Sequence, residues 1–187
     1  MKIVNVPQMV AMEKATDAAG FTYDQMMAEA GSALAETIVE QAPSSGRFFF
    51  LIGPGNNGGD GLVACARLQE EGRHAIPYIW KRKSGSDSLV DADPLVGAVS
   101  DIIWAEEDAD YEQLRRLIPQ SSVIVDALLG TGNVRAIGGS LATLLETVRT
   151  ALEQQSANQP TRIDPTEPVA SHSPLVVACD CPSGLHC

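Results

Sequence analysis

Hydrophobic residues recur along this chain with two different periods, and the switches between those periods lay out an alternating α/β order. Met9, Met12, Ala15 and Ala19 keep a helical spacing between Pro7, which suits a first helical position, and the stop at Gly20. Thr22-Tyr23-Asp24-Gln25 has the form of a capping box, and Met27, Ala30, Leu34 and Ile38 carry a longer helix towards Pro43. Methionines at such spacing read as core. An apolar run at 47–52 then breaks into Gly53, Pro54, Gly55, Asn56, Asn57, Gly58, Gly59, Asp60 and Gly61. Helical periodicity resumes at Leu62, Val63, Ala66 and Leu68, so this stretch predicts a strand, a glycine loop and a helix. Further strands are expected at 75–80, 101–104, 123–126 and 175–178, and helical faces at Tyr111, Leu114, Leu117 and Ile118 and from about Ser140 to Leu152. Residues 84–97 carry no clear signal, with Pro94 interrupting any helix. Residues 153–174, rich in Gln, Pro, Ser and Thr, predict a long surface loop or insertion.

Strands alternating with helices imply an open parallel sheet, in which ligands bind outside the carboxyl ends of the strands. Three of the predicted strands end in polar residues. The first delivers Asn56, Asn57 and Asp60; another ends in Asp126 and leads to Gly130-Thr131-Gly132; the last delivers Asp180 and Pro182-Ser183-Gly184. One strand-terminal Asp can simply cap a turn. Three such endings point instead to a shared site.

The segment from Gly53 to Gly58 matches G-x-G-x-x-G between strand and helix, a weak signal by itself. The dinucleotide fingerprint also wants an acidic residue about 20 positions on, near the end of the second strand. That strand runs into Lys81, Arg82 and Lys83 instead, which damages an NAD dehydrogenase reading and leaves an NADP one. The asparagine pair and Asp60 exceed what a pyrophosphate cradle needs. Their oxygens suggest contact with a polar ligand or a hard cation.

At 187 residues the chain suits one domain, and its net charge of −11 argues against a nucleic-acid partner. It has no apolar run of about 20 residues to span a membrane and no leader pattern at its start, so a cytoplasmic protein is expected. Cys179, Cys181 and Cys187 are not spaced like a zinc site; Cys65 and Cys179 read as small buried residues, Cys181 and Cys187 as incidental. His74, His172 and His186 lie outside the predicted site loops and receive no role.

The segments GPGNNGGDG, VDALLGTG and ACDCPSGL, in this order and each following a strand, resemble the three signature segments of the NAD(P)HX epimerase family, the YjeF N-terminal type of domain. The opening helices, with Met27-Ala28-Glu29-Ala30-Gly31, extend the resemblance over nearly the whole chain. It implies a single domain over 1–187, a Rossmann-like three-layer αβα sandwich with a mostly parallel sheet and an N-terminal helical arm. It also implies an isomerase that interconverts the R and S epimers at C6 of hydrated NADH or NADPH. Such an enzyme repairs nicotinamide cofactors together with an ADP- or ATP-dependent NAD(P)HX dehydratase, which a longer parent protein would carry in fused form; a homodimer is compatible with it.

Carried over by residue, Asn56, Asn57, Gly58, Gly59 and Asp60, with Gly130, Thr131, Gly132, Asn133, Val134, Arg135 and Ala136, would bind the dinucleotide. Asn57, Asp126 and Ser183 would ligate potassium, K+. Asp180 would contact the hydrated nicotinamide and is the first choice for acid–base catalysis, with Asp126 second. The sequence departs from the family in three places: a final strand and helix expected after Leu185 are missing, Ala28 stands where many members have Glu, and the insertion before the last strand is long. Two other classes of function compete, an NADP-dependent oxidoreductase and a non-catalytic nucleotide-binding or protein-interaction module of the same fold.

Overall fold

Strand β1, Arg47–Ile52, is buried at every position after the first, because it lies in the middle of a sheet covered on both faces. The computed structural model describes residues 4–41, 46–82, 93–131, 136–157 and 173–185. With β2 (His74–Ile79), β3 (Ile103–Trp104), β4 (Val123–Ala127) and β5 (Leu175–Ala178), β1 forms a five-stranded sheet in the order β3-β2-β1-β4-β5. Every pairing is parallel. Side-chain alternation along β1 separates two cores. Phe48, Phe50 and Ile52 pack with residues of α2 (Tyr23–Gln41), α3 (Asn56–Glu70) and α4 (Pro94–Gly97), while Phe49 and Leu51 pack with α5 (Glu112–Leu117) and α6 (Gly139–Ala157). The result is the three-layer αβα sandwich that the family resemblance implies.

Helix α1, Val6–Ala18, buries none of its residues and forms the N-terminal arm. Asn5 and Gln8 cap it reciprocally, with Pro7 in its first turn. Thr22 and Gln25 make the predicted box at the start of α2. Gly31 lets α2 approach α3, since a Cβ there would stand 2.4 Å from Cβ of Val63.

Four boundaries differ from the sequence expectation. Helix α3 begins at Asn56 instead of Leu62, so Asn56 to Asp60 are helical and the loop shrinks to Gly53, Pro54 and Gly55. Gly58 and Gly59 serve close packing: a Cβ would lie 2.0 Å from the Gly53 carbonyl oxygen in the first case and 2.5 Å from Sδ of Met27 in the second. Pro94 opens a helix, α4, capped by the Asp93 carboxylate. Strand β3 is only two residues long and half-buried. Helix α6 continues to Ala157, where Arg149 pairs with Glu146 and Glu153 on its exposed side. Residues 153–157 are therefore helical, and 158–172 lie outside the described residues.

Tyr78 is fully buried in the second core, and its hydroxyl donates to Oδ2 of Asp108 at 3.0 Å. Burial first, then the Asp108 carboxylate, pushes the phenol's pKa up. Asp108 also accepts the N–H groups of Gln113 and Leu114, and so holds the start of α5. Tyr78→Phe removes one charge-assisted bond without changing volume and is expected to cost about 1.5–3 kcal/mol, read by denaturant unfolding. An unchanged midpoint would show that the bond contributes nothing net.

Candidate functional site

The strand order makes β1 and β4 neighbours whose following helices, α3 and α6, cover opposite faces. Their carboxyl ends thus flank a topological switch point, where connections diverge and leave a crevice. Gly53 joins the two strand ends at close quarters. The Gly53 N–H donates to the Ala127 carbonyl at 3.0 Å, and a Cβ on Gly53 would lie 1.9 Å from the Leu128 carbonyl oxygen.

Side chains from all three predicted loops meet here. Asn57, at the start of α3, is 8% exposed and donates through Nδ2 to the Leu129 carbonyl at 2.9 Å. Only the amide nitrogen can donate, so the bond orients the group. Its Oδ1 is buried without a hydrogen-bond partner among the described residues. Ser183 ties to Leu129 as well, its hydroxyl accepting the N–H at 3.0 Å. Asp126 accepts the Ser183 hydroxyl at 2.6 Å and the Leu128 N–H at 3.2 Å through Oδ1, and the Ser183 N–H at 2.7 Å through Oδ2. Asp180 accepts the Thr131 N–H at 2.9 Å. Gly130 fits between two of these residues: a Cβ on it would lie 2.9 Å from Oδ2 of Asp180 and 3.3 Å from Cβ of Asn57.

The carboxylates crowd one another. Burial raises the pKa of Asp60 to about 6, with further contributions from Asp180 and from Glu13 on α1. Burial, followed by Asp60, Asp180 and Asp126, pushes the Cys179 thiol up to about 12. The arm therefore brings a charge to the site, which the sequence expectation missed. Met27 was read only as core, yet it packs on Gly59 beside the site.

Of the expected dinucleotide residues, Asn56 is exposed at the first position of α3, and Gly55 caps that helix without a side-chain bond. The Gly59 N–H is used by the Gly55 carbonyl at 3.2 Å. Gly132, Asn133, Val134 and Arg135 lie outside the described residues, and Ala136 is exposed. Cys65 is a buried free thiol, and Cys179 is free and half-buried. Cys181, expected to be incidental, is disulfide-bonded. Among the described residues no group of three or more His, Cys, Asp or Glu side chains is placed to hold a metal ion. None of their helices is long and apolar enough to cross a membrane.

Asp60 sets the sign of a pH effect. Its ordinary pKa of 3.8 applies unfolded and about 6 applies folded, so between these values the folded state holds the extra proton. Stability from this group is greatest below about pH 4 and is lost as pH rises through 6. Asp60→Asn is expected to melt above the parent at pH 7 and to lose that advantage near pH 4, in melts without potassium. A gap that widens towards acid pH would contradict the assignment.

The family model for the YjeF-related protein N-terminus matches residues 23–187. The chain belongs to this family. The bifunctional NAD(P)H-hydrate repair enzyme Nnr of Thermanaerovibrio acidaminovorans is 30% identical over 161 residues, which cover 86% of this chain and 27% of the relative. The NAD(P)H-hydrate epimerase of Clavibacter michiganensis subsp. michiganensis is 33% identical over 168 residues, covering 87% of this chain and 63% of that protein. The chain thus spans less than two thirds of either YjeF-related relative. The fold is also that of the crystal structure of yeast ynu0, YNL200c, with a TM-score of 0.75 and 23% identity over 100% of this chain and 72% of the yeast chain.

Proposed function

We propose that this YjeF-related domain is an NAD(P)H-hydrate epimerase, interconverting the R and S epimers at C6 of hydrated NADH or NADPH. The observation that carries the proposal is the placement of Asp180 against Gly130 and Thr131, with Asn57 beside Asp180 over the Cβ direction of Gly130, at the switch point of the sheet. The crevice is bounded by the uncapped start of α3, whose first N–H groups suit a pyrophosphate. A carboxyl group and a dinucleotide site then share one opening. Relatives carrying this domain are named for epimerase and hydrate-repair activities.

The donor set fits potassium. Asn57 has a buried, unpartnered amide oxygen, and the Asp126 carboxylate and Ser183 hydroxyl are linked to it through Leu129. These are hard oxygen ligands of the kind that suit a non-transition cation. When bound, the ion would neutralise charge and lock the loops after β1, β4 and β5 together.

Epimerisation at a carbon bearing OH beside a ring nitrogen can proceed by elimination and re-addition. Asp180 gives a proton to the departing hydroxyl, which leaves as water, and the ring nitrogen supplies the electron pair that forms an iminium ion. Water then adds to the opposite face of C6 while the Asp180 carboxylate takes its proton. Atoms and charge return to their starting count. Asp126 is less available for this role, because it already accepts three hydrogen bonds.

The test supplies the R hydrate of NADPH to purified protein in potassium buffer while an S-specific dehydratase drains the product. Turnover that falls when potassium is replaced by lithium is the expected result. A folded protein that binds NADP without turnover would favour a binding module, and oxidation of NADPH without epimerisation would favour an oxidoreductase. Fusion to a dehydratase, as the bifunctional names of relatives suggest, belongs to the same proposal.

A further inference from the structure

Arg82 follows β2 in the basic run, Lys81 to Lys83, that leaves an NADP reading open in the sequence. Its structural surroundings give it a different task. The side chain is 10% exposed, and Nε donates to Oδ2 of Asp93 at 2.5 Å. Nη1 donates to the carbonyl oxygens of Gly53 at 3.2 Å and Gly55 at 3.0 Å. Asp93 is itself anchored: its Oδ1 accepts the Leu95 N–H at 3.0 Å as the cap of α4, whose Val96 is buried in the first core. One guanidinium therefore connects a packed helix cap to both glycine carbonyls of the loop that precedes α3.

Backbone bonds hold the loop at the Gly53 N–H and at the Gly55 carbonyl, which accepts the Gly59 N–H, and Arg82 adds the side-chain hold on both carbonyls. Gly53 and Gly55 have no side chains to fix themselves, and the Cβ direction of Gly55 meets none of the described residues within 4 Å. A carbonyl turned towards an incoming phosphate would repel it, and the opening N–H groups of α3 attract a phosphate only if the peptides before them stay fixed. We propose that Arg82 is a positioning residue for dinucleotide binding: by holding the Gly53 and Gly55 carbonyls it presents the start of α3 to the pyrophosphate. This rests on the reading above that the α3 start takes the dinucleotide. Because Arg82 acts through the loop, it serves NAD and NADP alike.

Calorimetric titration of the full chain with NAD and with NADP, beside its melting temperature, tests this with Arg82→Met and Arg82→Lys. Both variants are expected to weaken both ligands by the same factor, about tenfold or more, while melting within a few degrees of the parent. Lysine should not rescue, because one ammonium cannot reproduce the planar fork that serves a carboxylate and two carbonyls. Loss confined to NADP would overturn the proposal in favour of a 2′-phosphate reader. Full rescue by lysine would overturn it in favour of charge alone, and unchanged affinity would overturn it outright. If Arg82→Met does not fold, Arg82→Lys decides by itself. Parent protein that binds dinucleotide without epimerase turnover removes the epimerase proposal and leaves this one standing; parent protein that binds neither dinucleotide removes both.

Discussion

If the domain is the proposed epimerase, replacing Asp180 by Asn is expected to lower turnover by about 10²- to 10⁴-fold in a protein that stays folded. The fold survives because Asp180 is exposed and makes one described hydrogen bond, from the Thr131 N–H, which an amide oxygen can accept equally well. Nor does the change add volume against Gly130, whose Cβ direction points at Oδ2 of Asp180. What is lost is the proton: a carboxamide neither gives one to a departing hydroxyl nor takes one from water. Asp126→Asn should behave differently. Asp126 accepts from Leu128 N–H, Ser183 N–H and Ser183 O–H, so an NH2 group there faces a donor and loosens the β4 and β5 loops together. Comparing melting temperature with turnover separates the two variants. Full turnover in Asp180→Asn would remove that residue from catalysis.

Gly53→Ala is expected to cost at least about 3 kcal/mol, a fall in melting temperature of roughly 6–12 °C for a domain of this size. The added Cβ would sit 1.9 Å from the Leu128 carbonyl oxygen, 2.7 Å from its carbon and 2.9 Å from Cα of Leu128. These are backbone atoms, and the Gly53 N–H to Ala127 bond pins the strands on either side. Neither chain can retreat without parting β1 from β4. Gly55→Ala supplies the control, since Gly55 has φ −91° and none of the described residues within 4 Å of its Cβ direction. It should melt close to the parent. Equal behaviour of the two alanine variants would show that crowding at the switch point does not govern stability.

Glycine shows why part of the site was legible and part was not. The abundance of glycine after β1 is visible in the chain, but glycine serves two physical purposes, positive φ and the absence of a Cβ. Among the described residues the glycines with positive φ are Gly20, Gly72, Gly139 and Gly184, all away from this segment. Gly53, Gly58 and Gly59 answer to contacts with Leu128, Gly53 and Met27, which no local pattern reveals. Hence a stretch expected as a loop is largely the first turns of α3.

Hydrophobic period and turn chemistry by themselves determined the order of strands and helices apart from α4, the parallel sheet and the polar residues Asn57, Asp126 and Asp180 at or after the strand ends, because these depend on neighbours within a few residues. Motif resemblance added the family. Only the tertiary structure decided that Asp126 bonds Ser183 across 57 positions, that Asn57 keeps an unpartnered buried oxygen, and that Glu13 reaches the charge of Asp60. It also placed Arg82, part of a basic run in the sequence, on the carbonyls of Gly53 and Gly55. Such facts depend on which distant atoms fill the space around a side chain, and that is settled when the strands align and the helices close over them.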